Sequence, residues 1–153
     1  MANTYSKMYV HVVFAVKFRE AMITEDRREL LQKYMTGIVQ KRNEKMLAIY
    51  CMPDHTHMLI GFQPSRSLSD LVRDVKTGTT IFMNEQRWFQ KKFNWQEGFG
   101  CFTYSRSQIP TVARYIENQA DHHRKKKFRD EYIEYLKKCE VDYNEKYLFK
   151  WLD

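Results

Sequence analysis

The sequence predicts an α+β domain of the split βαβ, or ferredoxin-like, kind, with an antiparallel sheet and helices packed on one face. Three observations lead there. Runs with strand character and runs with helical spacing succeed one another in the order strand, helix, strand, strand, helix, strand, helix. The 153 residues suffice for one core and not for two, so 1–153 is expected to be a single domain, with 129–153 a C-terminal helix and tail. Hydrophobic residues at 43% against 29% charged describe a chain able to bury a core.

Each element has its own signal. Tyr5 to Phe18 carries Tyr9, Val10, Val12, Val13, Phe14 and Val16, a density of aromatic and β-branched residues that predicts a strand well inside the sheet. Thr24 then offers an N-cap, Glu25 and Asp26 put negative charge in the first turn, and Leu30, Leu31, Tyr34, Met35, Ile38 and Val39 recur at helical spacing. Met46 to Met52 and His57 to Phe62 are short apolar runs about Pro53-Asp54 and read as antiparallel strands joined by a turn. Ser67 or Ser69 caps a second helix through Leu71, Val72, Val75 and Phe82, whose middle is weakened by Gly78 and Thr79-Thr80 enough to allow a bend. Trp88 to Gly100 reads as a loop into a fourth strand at Cys101 to Ser105. Pro110 suits the first turn of a third long helix running through Tyr115 and Gln119 to a basic end. Arg129 to Cys139 is a final helix, followed by an aromatic tail of Tyr143, Tyr147, Phe149 and Trp151.

Charge and cysteines narrow the partners. A net charge of +7 favours polyanions, because each neutralised phosphate releases a counterion. Cys51, Cys101 and Cys139 are far apart and form no CxxC pair, which excludes a zinc ribbon or redox dithiol and leaves reduced, buried thiols of a cytoplasmic protein as the expectation. No secretory signal is visible, and no apolar stretch approaches the length of a membrane span.

Two patterns carry chemistry. In Pro53-Asp54-His55-Thr56-His57 the histidines are two apart, so strand alternation points both to one face as half of a divalent metal site. Taken alone, such a pair is more often a set of hydrogen-bonded structural histidines at a strand edge. Tyr115 and Gln119 lie four apart and share a helical face about one turn long. Taken alone, a tyrosine there is usually core and a glutamine usually solvent-facing.

Together, in this order and separation, His55-Thr56-His57 resembles the HUH motif and Tyr115 to Gln119 the nucleophile helix of single-tyrosine, IS200-like insertion-sequence transposases. The resemblance covers nearly the whole chain. It implies that His55, His57 and Gln119 hold one Mg²⁺ or Mn²⁺ and that Tyr115 attacks the scissile phosphodiester. It further implies a covalent 5′-phosphotyrosine with release of a 3′-OH, single-stranded DNA with hairpin ends as substrate, a homodimer, and a bacterial cytoplasmic location. The middle motif residue, usually bulky and apolar, is here Thr56; it should point to the opposite sheet face, where a β-branched residue fits.

Basic residues complete the reading. Lys91 and Lys92 sit in an aromatic, glycine-flanked loop suited to DNA contact, and Arg124 and Lys125 follow the tyrosine helix, where they would hold phosphates or cap the helix dipole. His122 and His123 are adjacent, and helical neighbours diverge by about 100°, which argues against a joint role. A zinc deaminase is excluded by the absence of His-x-Glu and PCxxC. A non-catalytic nucleic-acid module would leave the two histidines, Tyr115 and Gln119 without a shared role, whereas a domesticated relative acting on chromosomal repeats would keep all of them.

Overall fold

The computed structural model describes residues 4–144 and 148. Four strands, β1 (Met8–Ala15), β2 (Lys45–Cys51), β3 (His55–Phe62) and β4 (Gly100–Thr103), form one antiparallel sheet in the order β2-β3-β1-β4. The helices are α1 (Glu25–Lys41), α2 (Leu68–Glu85), α3 (Ile109–Glu117), α4 (Gln119–His123) and α5 (Phe128–Lys138). This strand order is the split βαβ arrangement that the sequence predicts.

β1 lies between β3 and β4 and is buried on both faces, which is why its sequence is a dense apolar run and not an alternation. Val10, Val12 and Phe14 face one way with Met58 and Ile60 of β3. Against them pack Leu31, Met35 and Val39, spaced four apart on α1, and Leu71, Val72, Val75 and Met83 of α2. Thr56 belongs to this side and is fully buried, as its place in the motif requires.

α2 runs unbroken through Gly78, with Ser67 as its N-cap accepting from the Asp70 amide, so the weak middle does not interrupt the helix. Thr79 explains why. Its hydroxyl bonds back to the Val75 carbonyl at 2.7 Å and accepts the Trp95 indole N–H at 2.9 Å, tying the Trp88 to Gly100 loop to the helix.

Helices on one face describes the α1 and α2 pair. The opposite face is covered by the last three helices: Ile109 and Ile116 of α3 meet Ala48 and Leu59, and Phe128 and Leu136 of α5 meet Val13, Ala15 and Phe102. Tyr9, His11, Val13 and Ala15 alternate onto this side of β1, and His55 and His57 onto this side of β3. Of the thiols only Cys51 is buried; Cys101 lies on the edge strand and Cys139 at the end of α5, both exposed, which corrects the expectation of three buried cysteines. Tyr143 packs against the α5 cluster, whereas Tyr147, Phe149 and Trp151 of the expected tail lie outside the described residues. No helix among the described residues is long and apolar enough to cross a membrane.

Candidate active site

Each histidine of the motif is oriented through its Nδ1. His57 Nδ1 lies 2.8 Å from His11 Nε2 on the neighbouring strand, and His11 Nδ1 lies 3.2 Å from the Tyr104 hydroxyl. Burial, followed by the proximity of His57, holds the His11 pKa well below the usual imidazole value, so His11 is neutral. Two tautomer chains satisfy these contacts; in the one where His57 donates from Nδ1 to His11 and His11 donates from Nδ1 to Tyr104, His57 Nε2 is left as a lone pair that a cation can take. His55 Nδ1 lies 2.7 Å from Asp54 Oδ1, and Asp54 Oδ2 accepts from Arg19 at 2.9 Å. Burial pushes His55 down to about 4. Burial alone would raise the Asp54 carboxyl, but His55 and Arg19 outweigh it and hold it at about 2.

α3 sets Tyr115 beside His57 of its own chain, with ring centroids 6.3 Å apart. The expected single long helix is in fact two, because Asn118 leaves helical geometry (φ −99°, ψ 24°) between α3 and α4. Gln119 nevertheless stays on the Tyr115 side: it is fully buried, its Nε2 is 3.3 Å from the Tyr115 carbonyl, and its Oε1 has no hydrogen-bond partner.

Glu131 of α5, which no sequence pattern singled out, is the residue on which these groups converge. It is only 2% exposed. Oε1 lies 3.1 Å from His57 Nε2 and 3.4 Å from His123 Nε2, and Oε2 lies 3.0 Å from His122 Nε2 and accepts the Tyr115 hydroxyl. Burial and then the Glu131 charge push the Tyr115 hydroxyl far above the usual phenol range, so it is a protonated donor here. Burial would raise the Glu131 carboxyl, yet the close approach of His123 and His57 and the hydrogen bond from Tyr115 prevail and hold it well below the usual carboxylate range. The separation of His122 from His123 expected from helical geometry does not keep either away from the site. α4 ends at His123, and the Glu131 carboxylate lies between the two rings, one oxygen toward each.

These residues fit a divalent cation. His55 Nε2, His57 Nε2, His123 Nε2, Glu131 Oε1 and Gln119 Oε1 are buried, and none has an aligned hydrogen-bond partner. One ligand atom each from His55, His57, His123 and Glu131 lie within 4.8 Å of one another. Bringing His55, His57, His123 and Glu131 together with these buried polar atoms unaligned to any partner is costly unless a cation lies among them.

The proposed DNA-contact residues fare differently. Lys91 is paired with Glu20 at 2.5 Å and Arg124 with Asp121 at 3.3 Å, while Lys92 and Lys125 are exposed. None of the four lines a cavity at the histidines. A cavity of about 640 Å³ beside His55 and His123 is lined instead by Arg19, Lys127 and Arg129, and one of about 280 Å³ beside Tyr115 and Glu131 by Lys126 and Lys138. The sequence spreads its basic residues too evenly for spacing to pick these out.

A family model described as Transposase IS200 like matches residues 4–119. The chain belongs to that family. Among the IS200-like transposases it resembles are the ISDra2 transposase TnpA of Deinococcus radiodurans, 22% identical over 116 residues (72% of this chain, 83% of that one), and the IS200 element transposase of Salmonella typhimurium, 24% identical over 127 residues (79% and 82%). In fold it is similar to a crystal structure assigned as a transposase from Deinococcus radiodurans r1, with TM-score 0.63 at 22% identity over 78% of this chain and 95% of that one. It is also similar to a REP-associated tyrosine transposase bound to a REP hairpin, with TM-score 0.60 at 16% identity over 80% and 73%. As an IS200-like transposase the chain is a DNA-cleaving enzyme. The stretch that matches the family model stops at Gln119, so His122, His123 and Glu131 lie beyond it.

Proposed function

We propose that this transposase is a metal-dependent endonuclease and strand transferase that cuts and rejoins single-stranded DNA at hairpin-marked ends through Tyr115. One observation carries the reading: the Tyr115 hydroxyl and the Nε2 of His57 meet the two oxygens of a single buried carboxylate, so nucleophile and metal ligands belong to one site. His55, His57 and Gln119 would hold Mg²⁺ or Mn²⁺, which when bound offsets charge building on the phosphoryl group.

Tyr115 Oη forms the bond to phosphorus while the bond to the 3′ oxygen breaks. The phenol proton passes to Glu131 Oε2 or His122 Nε2, both within hydrogen-bond reach. The leaving 3′ oxygen takes a proton from solvent water and departs as a free 3′-OH. The 5′-phosphotyrosine keeps the bond energy, so attack by another 3′-OH rejoins strands without ATP. A hairpin substrate is supported by the fold shared with the hairpin-bound neighbour. Two ends need two nucleophiles, hence a homodimer, and the position of Tyr115 beside its own chain's His57 supports cleavage in cis.

The test is incubation with a labelled single-stranded hairpin oligonucleotide from the flanks of its own gene, with Mg²⁺, Mn²⁺ or EDTA. The expected result is a metal-dependent, SDS-resistant protein–DNA adduct that is absent in Tyr115→Phe. Binding with neither adduct nor cleavage in either metal would leave only a DNA-binding module.

A further inference from the structure

We infer that His123 of α4 and Glu131 of α5 are ligands of the same divalent cation as His55 and His57, so that the C-terminal helix completes the metal site. This rests on the metal-dependent reading above and extends it to residues outside the stretch matched by the family model.

Three independent features converge. His123 is wired as the two motif histidines are: its Nδ1 is taken up, here by the Lys126 carbonyl at 2.8 Å, and its Nε2 is buried without an aligned partner. A ring fixed through Nδ1 with Nε2 left over is the arrangement that metal-bound histidines adopt. Glu131 is a carboxylate at 2% exposure whose ion pairs are all with imidazoles, and no lysine or arginine among the described residues pairs with it. A carboxylate buried among imidazoles, with no permanently charged partner, is costly unless a cation joins it. Finally, the four ligand atoms already lie within 4.8 Å of one another, close enough for one ion to reach them all with little movement.

The two oxygens of Glu131 divide the work. Oε1 faces His57 and His123, whereas Oε2 accepts from Tyr115, so the ligand that completes the metal site also positions the nucleophile. Three imidazole nitrogens and one carboxylate oxygen form a donor set that favours Mn²⁺, Co²⁺ or Zn²⁺ over Mg²⁺. In a six-coordinate ion they leave positions for Gln119 and a phosphate oxygen.

The test is calorimetric titration of the full-length, EDTA-stripped protein with MnCl₂ and MgCl₂, beside Glu131→Gln, His123→Ala and, as a control on the same helix, the half-exposed Glu134→Gln. Both ligand variants should lose about tenfold or more in Mn²⁺ affinity, the control should not change, and the wild type should bind Mn²⁺ more tightly than Mg²⁺. Glu131→Gln preserves shape, and circular dichroism confirms that each variant is folded. Pulsed electron paramagnetic resonance of the Mn²⁺-loaded protein supplies a second readout: three coordinated imidazoles in the wild type and two in His123→Ala. Variants that bind Mn²⁺ like the wild type, with two imidazoles throughout, would overturn the inference and leave the transposase site intact. A wild type that binds no divalent cation would overturn both.

Discussion

Tyr115 and His55 show how single residues at this site are set by what surrounds them. Burial holds His55 at about 4 in the folded chain, against about 6.5 for an imidazole in an unfolded one. Between those values the unfolded state binds a proton that the native state refuses, so stability rises with pH across the window. The metal-free protein should therefore keep the full contribution of His55 above pH 6.5 and lose on the order of 3 kcal/mol of it as pH falls to 4. Asp54, held at about 2, adds a further loss below pH 4. Urea midpoints in EDTA at pH 7.5, 5.5 and 4.5 check this, and His55→Gln should flatten the first step. A midpoint indifferent to pH between 7.5 and 4.5 would show that His55 is not buried in the neutral form. At this scale the sequence was informative where spacing encodes proximity: His55 with His57 by strand alternation, Tyr115 with Gln119 by helical period. Glu131 was not legible, because it meets His57 and Tyr115 only when α5 folds back over the sheet, and no local period records that. His11 was hidden for the same reason, as its partner His57 is 46 positions away.

Among the elements, the strands and α1, α2 and α5 were readable because apolar periodicity marks them. The break at Asn118 and the continuity of α2 through Gly78 were not, since local propensity records neither. Thr79 illustrates the second case: a residue of poor helix propensity is held by the indole of Trp95 and in return fixes the loop that carries it. Thr79→Val removes the hydroxyl's bonds to the Val75 and Lys76 carbonyls and leaves the Trp95 N–H buried and unpaired, so it should cost about 1 to 3 kcal/mol. α5 has a comparable anchor in Phe128, whose ring stacks on His55 with centroids 3.7 Å apart and planes 5° apart. Phe128→Ala should destabilise by about 3 to 5 kcal/mol. It should also weaken Mn²⁺ binding, because the same helix carries Glu131. Denaturant unfolding with and without Mn²⁺ separates these effects: the cation should stabilise the Thr79 variant as it does the wild type, and the Phe128 variant less.

For the molecule as a whole, the sheet is a partition. One face supports the largest apolar core beneath α1 and α2, and the other carries the histidines, flanked by two smaller apolar clusters, under α3, α4 and α5. A net charge of +7 gives the whole chain an attraction for DNA, but charge spread over a surface does not by itself say where a strand runs. The path expected for it is the cavity beside His55 and His123, which Arg19, Lys127 and Arg129 line and Lys91 and Lys92 do not. A strand bound there should release about 0.7 of a counterion for each phosphate neutralised. Lys127→Ala is therefore expected to weaken single-strand binding and lower the slope of log affinity against log salt by about 0.7, while Lys92→Ala leaves the slope unchanged. Fluorescence anisotropy at four or more salt concentrations measures both. The reverse outcome, a slope that falls for Lys92→Ala and holds for Lys127→Ala, would route the strand over the Trp88 to Gly100 loop and away from the cavity.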